Sequence, residues 1–337
     1  MIIVYTISIL LIIIFIHELG HFIAARLRKV KVRTFSIGFG KKLYSFHDKY
    51  QTEWKICIFP LGGYVSFDKD NSDDENDQKN NDDTIVFDSS PPLSKALIAF
   101  AGPLANYLLS FIVIFIVLIS YGKMIICPEI TQVESNTIAE KFGIVPGDKV
   151  VEFNGRNDFL VQEIIEQKNN NISITIEHKN GEKKNLVFNR ALGNIGIRFE
   201  KVINENISFI DAITEAFNGV ISMNYQMING IFDIILGKNS IEIGGPIKIF
   251  QISMQSISKG LKHTLVFISI LSINLGFINL LPIPGLDGGH LLIYIIEMII
   301  GKGLNKQLYH RIMQVGYAIL ILLMVFAISK DIISLFR

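Results

Sequence analysis

The sequence predicts a polytopic α-helical membrane protein, with four transmembrane helices and one small α+β domain carried outside the membrane between the second and third. Three observations predict it. Residues 2–25, 93–121, 263–300 and 312–329 are apolar over membrane length, about 20 residues being enough to cross the hydrocarbon core. Half of the 337 residues are hydrophobic, only 19% are charged, and mean hydropathy is +0.40, whereas a soluble domain is about a quarter charged. Residues 127–188 break this pattern with short strand-like runs and turn signals such as Asn154-Gly155 and Asn180-Gly181. The formal net charge of +1 gives no basis for nucleic acid as a partner.

The first apolar stretch holds His17-Glu18-Leu19-Gly20-His21. Three ionisable side chains at bilayer depth are costly and need a reason. On a helix, His17 and His21 are four apart and share one face, with Glu18 beside them. H-E-x-x-H supplies two metal ligands and a general base. The pattern is short and recurs by chance, but inside a membrane-length segment a metal site is favoured over histidines merely satisfied within a bundle. The stretch opens without a basic residue, and Arg26, Arg28, Lys29, Lys31 and Arg33 follow it. A secretory signal peptide puts its charge first, so we read a retained helix whose basic flank is cytoplasmic and touches anionic lipid. Counting onward puts residues 32–92 inside, 123–262 outside and 301–311 inside, where Lys302, Lys306 and Arg311 agree. Cys57 and Cys127 then lie on opposite sides, so no disulfide is expected within one chain.

Residues 35–40 and 54–65 are rich in strand formers and punctuated by glycine, and read as hairpins, the second able to dip into the membrane. Gly62-Gly63 permits either a close backbone approach or an ordinary tight turn. Residues 68–90 form an acidic segment that cannot bury a core and reads as a disordered cytoplasmic loop. It lacks the glycine and terminal glutamate of a calcium-binding EF-hand loop.

Ala101-Gly102-Pro103-Leu104-Ala105-Asn106 lies near the start of the second span, where small residues let helices approach closely. Asn106 needs a partner at that depth: it either supports the metal site or pins two helices together. The outside segment reads as a strand at 130–133, a helix at 137–142, a strand at 150–153, a second helix at 160–167, and a hairpin of 172–177 with 184–188. Residues 201–262 are amphipathic and expected along the membrane surface. The third span is too long for one helix and contains Asn274, Asn279, Pro282, Pro284, Gly285, Asp287 and Gly288. We read a helix, a break near residues 281–289 and a continuing helix, the irregular backbone being buried in protein or lining a cavity. The prolines and glycines read equally as a simple kink, Asp287 as a cap for the half after the break, and Asn279 as a helix–helix hydrogen bonder. His290, close to Asp287, is the remaining histidine with a possible supporting role. The resulting divisions are 1–34, 35–92, 93–122, 123–200, 201–262, 263–300 and 301–337.

Together these pieces resemble the site-2 protease family of intramembrane metalloproteases, in its bacterial RseP-type branch. The resemblance covers nearly the whole chain. It rests on His17-Glu18-Leu19-Gly20-His21, on Phe59-Pro60-Leu61-Gly62-Gly63-Tyr64-Val65, on the 101–106 motif, and on Asn279-Leu280-Leu281-Pro282-Ile283-Pro284-Gly285-Leu286-Asp287-Gly288. It implies Asp287 as third ligand, with His17 and His21, to Zn2+, and Glu18 as the general base. It also implies a substrate-handling role for Asn279. Independently of it, an edge strand near Gly62–Val65 is expected to capture an unwound substrate by strand addition, and Gly62, Gly63 and Asn106 are carried with Asn279 as substrate-handling candidates. Gly143–Asp148 and the strand after it look like part of a PDZ domain; there is room for one, where some relatives have two. The implied substrates are transmembrane segments of single-span proteins already trimmed outside, such as anti-sigma factors or signal-peptide remnants. The implied setting is the bacterial inner membrane, with the active site toward the cytoplasm and the PDZ domain periplasmic, open to protein C-termini as ligands. A competing reading is a catalytically inactive PDZ-bearing membrane adaptor, which the intact His17, Glu18, His21 and Asp287 oppose. An ion transporter using intramembrane His and Glu is opposed by the lack of repeated spans.

Overall fold

Long apolar runs in lipid must satisfy their backbone groups internally, which favours helices. The computed structural model describes residues 2–67, 85–135, 137–157, 161, 164, 171–189, 196–199, 202–236 and 245–335. Among them, four helices are long and apolar enough to cross a membrane: Val4–Leu27, Pro92–Tyr121, Leu261–Leu280 and Lys306–Ile332. They fall on the four apolar stretches of the sequence. The chain divides into two compact units, one formed by Met1–Val117 with Ile210–Arg337 and one by Leu118–Phe209.

In the larger unit, helix α1 (Ile2–Leu27) is followed by strands β1 (Val32–His47) and β2 (Glu53–Phe67). Instead of forming two separate hairpins, these strands pair with each other. The first half of β1 pairs on one side with residues 63–67 and on the other with residues 53–56, and its second half pairs with residues 53–57. Bends within both strands make this possible, and Gly38 and Gly40 adopt φ of 86° and 88° there. The outer edge of residues 63–67 has no strand partner among the described residues.

The turn of this sheet is fastened to the end of α1. Arg26 reaches Asp48 Oδ2 at 3.2 Å and sits over the Phe22 and Tyr50 rings at 5.1 and 4.5 Å. Asp48 also accepts from the backbone N–H groups of Tyr50 and Thr52, at 2.9 Å each, and from the Trp54 indole at 3.2 Å. Burial raises the Asp48 pKa, but the Thr52 N–H, the Trp54 indole, the Tyr50 N–H and the Arg26 charge outweigh it and hold the carboxyl below its ordinary value.

Helix α2 (Pro92–Tyr121) opens on a proline, whose missing N–H costs nothing at that position. It ends before Gly122, at φ 71°. The smaller unit follows: β3 (Lys123–Ile126), β4 (Gln132–Val133), α3 (Ile138–Lys141), β5 (Lys149–Phe153), β6 (Asn171–Glu177), β7 (Lys183–Asn189), β8 (Ile197–Arg198) and β9 (Val202–Glu205). The strand expected at 130–133 is shorter, as is the helix expected at 137–142. β5, β6 and β7 form an antiparallel sheet, while β3 pairs with β9 and β4 with β8. β9 therefore carries the unit past residue 200, and it closes near Phe209. Its core gathers Ile130, Ala139, Val150, Phe153 and the inward face of β6, Ile172, Ile174 and Ile176. Asn154 and Gly155 turn with φ of 48° and 79°. Most of the acidic segment, 68–84, and most of the helix expected at 160–167 lie outside the described residues.

Returning to the larger unit, α4 (Phe209–Ile235) is amphipathic, as expected of this region. Ala212 and Ala216 are buried, while Ile210, Phe217, Ile221 and Phe232 are exposed. Tyr107 on α2 donates to Asn224 of α4 at 2.7 Å. Helix α5 (Pro246–Ser258) packs against α1, where Ser253 Oγ bonds Thr6 Oγ1 at 3.2 Å. Its first turn has its free N–H groups capped from far along the chain, because Asp331 accepts from Gly245 and Ile247, each at 2.8 Å.

Helix α6 (Leu261–Leu280) stops at the break, and α7 (Asp287–Ile300) resumes after it. The break spans residues 281–286 and is shorter than expected, so Asp287 opens a helix instead of standing on irregular backbone. Leu286, with φ −102° and ψ 163°, holds the capping position. α7 ends on Gly301, whose left-handed φ of 72° closes it, and α8 (Lys306–Leu335) completes the unit. Cys57 and Cys127 are both free thiols.

Candidate metal centre

α1 delivers His17, Glu18 and His21 on consecutive turns, all of them buried. α7 delivers Asp287 at its first residue. Asp287 Oδ2 lies 3.0 Å from His17 Nε2 and 3.3 Å from His21 Nε2, and the two Nε2 atoms are 3.2 Å apart. Ligand atoms of the three residues all fall within 4.8 Å of one another. The same carboxylate oxygen is buried and accepts no hydrogen bond among the described residues. Two imidazole nitrogens and a carboxylate oxygen turned toward a common point fit a divalent cation, and this donor set matches catalytic zinc.

Close helix contact makes this geometry possible. A Cβ added at Gly20 would overlap the Ala101 carbonyl of α2, and one added at Gly102 would overlap the His21 ring. The small-residue motif 101–106 is therefore a seat for the ligand helix. Just after the break, in the first turn of α7, a Cβ at Gly288 would overlap the Leu280 carbonyl, and one at Gly289 the Ile283 carbonyl. These two glycines let the chain double back so that α7 begins beside α1.

Each imidazole is also held from behind. His21 Nδ1 donates to the Ile98 carbonyl at 2.8 Å. His17 Nδ1 faces Asn106 Nδ2 at 3.1 Å. Asn106 is fully buried there, against the far side of a ligand ring. Asn279 is half-buried, with Nδ2 3.3 Å from His17 Nε2, at the centre itself. His290 Nδ1 meets the Tyr309 hydroxyl at 3.2 Å.

A cavity of about 1460 Å³ reaches the four site residues and continues to Lys95, Lys306 and Arg311. Gly63, Tyr64 and Val65 line it as well, and a Cβ at Gly63 would crowd Glu18 Cγ, at 2.9 Å. Gly62, at φ 128°, has the Phe39 ring where a side chain would go. The edge of the sheet thus runs beside Glu18. Sequence reasoning did not single out Ile98, which acts through a carbonyl every residue has. It noted Gly102 as a small residue but had no signal that the His21 ring would fill the space.

Residues 5–323 match the family described as Peptidase family M50. A protein of Rickettsia conorii named "Putative zinc metalloprotease" is 39% identical, the alignment covering 99% of this chain and 98% of that protein. Proteins with the same description in Rhizobium meliloti and Synechocystis are 30% and 32% identical, covering 97% and 98% of this chain and 95% and 94% of theirs. The HExxH helix, the distant aspartate and a match over nearly the whole length agree: the chain belongs to peptidase family M50, the site-2 protease family of zinc metalloproteases.

Proposed function

We propose that the protein is an intramembrane zinc endopeptidase that cuts transmembrane segments of single-span proteins. The observation that carries this reading is the approach of the orphaned Asp287 Oδ2 to both histidine Nε2 atoms, at 3.0 and 3.3 Å, among helices of membrane length. His17, His21 and Asp287 are the ligand set. Zinc held there supplies Lewis acidity to a substrate carbonyl and lowers the pKa of a water from about 15.7 to about 7.

The chain's own residues do the rest. Glu18 takes the proton of the attacking water and returns it to the amide nitrogen as the C–N bond breaks. The Asn279 amide N–H donates to the carbonyl oxygen as negative charge develops on it. A transmembrane helix hides its amides in internal hydrogen bonds, so a substrate must unwind before it can be cut. The unpartnered edge at residues 63–67, beside Glu18, offers backbone groups to an unwound segment by strand addition.

The smaller unit reads as a single PDZ domain able to bind exposed C-termini, supported by its antiparallel strands and the Gly143–Asp148 turn. The basic flank after α1 and the loop with Lys302, Lys306 and Arg311 support a cytoplasmic active-site face, with the PDZ unit periplasmic in a bacterial inner membrane. Anti-sigma factors and signal-peptide remnants are the substrate classes that fit this orientation.

The test is cleavage of a panel of signal-peptide remnants and single-span substrates by the purified protein in bicelles, with and without a chelator. Glu18→Gln is expected to retain zinc and lose cleavage by about 10²–10⁴-fold. Cleavage of every substrate by the metal-free protein at the zinc-loaded rate would overturn the reading.

A further inference from the structure

We infer that Asn106 is the residue that sets the proton on His17, turning its carboxamide so that Oδ1 accepts from His17 Nδ1–H when the cation is bound. The inference rests on the zinc reading above. A histidine that ligates through Nε2 must carry its proton on Nδ1, and the group behind Nδ1 fixes that choice by accepting it. For His21 the choice is made permanently: its Nδ1 points at the Ile98 carbonyl, 2.8 Å away, which can only accept.

For His17 the partner is a carboxamide, which offers a donor at one end and an acceptor at the other. Asn106 Nδ2 stands 3.1 Å from Nδ1 and Asn279 Nδ2 3.3 Å from Nε2, so each ring nitrogen faces an amide donor, and a neutral imidazole cannot accept at both. A cation bound at Nε2 requires the ring proton on Nδ1, where it would meet the Asn106 donor.

The other end of the carboxamide supports the alternative. Asn106 Oδ1 is buried and has no hydrogen-bond partner among the described residues. A half-turn of the planar amide exchanges oxygen and nitrogen without changing its shape. Oδ1 then receives the Nδ1 proton, and Nε2 is freed toward the centre. The residue is fully buried, and its backbone carbonyl is already held by Ser272 Oγ at 2.8 Å. His21 is thus a preset ligand and His17 a conditional one, with Asn106 as its positioning residue.

The experiment compares the full-length wild type with Asn106→Leu and Asn106→Asp in detergent. It reads zinc affinity by chelator competition and the visible spectrum of the cobalt(II)-substituted protein. Leucine fills nearly the same volume and offers no acceptor, so zinc affinity should fall about 10–100-fold and the cobalt spectrum should shift. Aspartate presents an acceptor in either orientation and should restore both.

Wild-type affinity and an unchanged spectrum in Asn106→Leu would overturn the inference, as would a deficit in Asn106→Asp equal to that of leucine, which marks simple helix packing. If the leucine variant does not fold, the 13Cγ resonance of Asn106 in the wild type decides. It should move when zinc is added and the oxygen becomes an acceptor; no movement rejects the inference. A wild type that binds no zinc rejects the metal reading itself, whereas a zinc-binding wild type indifferent to residue 106 rejects only this step.

Discussion

Gly102 on the second apolar helix lies directly against the His21 imidazole, in the space a Cβ would occupy. The nearest atom is Nε2, the nitrogen turned toward Asp287. An added methyl cannot be absorbed by the ring without moving a ligand atom. Gly102→Ala should therefore weaken zinc binding about 10–100-fold, the range seen when support of a ligand histidine is disturbed. Chelator competition on the purified variant checks this, and an affinity equal to wild type would show that the ring has room to yield.

Asp287 brings the only carboxylate of the ligand set, and it comes from another helix. Asp287→Ala should leave the two histidines holding zinc so weakly that it is lost on dialysis. Metal content per protein after dialysis measures this. Full occupancy in the variant would remove Asp287 from the ligand set.

Asn279 approaches the centre with a donor, Nδ2, 3.3 Å from His17 Nε2, but it is not a plausible zinc ligand. Asn279→Ala should keep zinc while kcat falls about 10²–10³-fold, as when one oxyanion donor is removed. Measuring kcat and zinc content on the same preparation separates the two effects. Loss of zinc in step with activity would make Asn279 a structural support instead.

The chain's single tryptophan, Trp54, donates to Asp48 and reports on the turn that ties the sheet to α1. The Asp48 carboxyl is held below its unfolded value of about 3.9. Such a group stabilises the turn at any pH above that value, and the contribution is lost as pH falls through the lower, folded pKa. Trp54 emission should therefore be flat from neutral pH down to about 4 and change only below it. Asp48→Asn should show an altered emission already at pH 7. A wild-type transition centred near pH 6 would assign the titration to another group.

How much of this was legible in the sequence depends on the distance over which each feature is decided. The four long helices follow from composition, because a bilayer leaves an apolar run few other structures. The shared face of His17 and His21 follows from helix geometry four residues apart. The break after Leu280 follows from its prolines and glycines, although its length did not: Gly288 and Gly289, read as part of the break, lie inside α7, where the need is for absent side chains and not for unusual backbone. The two hairpins were misjudged because strand-forming composition says nothing about which segment pairs with which, and β1 pairs on both sides.

Local residue patterns by themselves determined a membrane-spanning chain with a metal-binding helix and a small α+β insert, since hydropathy and helical period act over neighbouring residues. The meeting of Asp287 with two histidines some 270 positions earlier was decided by tertiary structure. So were the Ile98 carbonyl behind His21, the Asn106 amide behind His17 and the sheet edge beside Glu18. The reason is physical: each depends on how closely two helices, or a helix and a strand, can approach, and that is set by the shapes of both partners, which no single stretch of sequence contains.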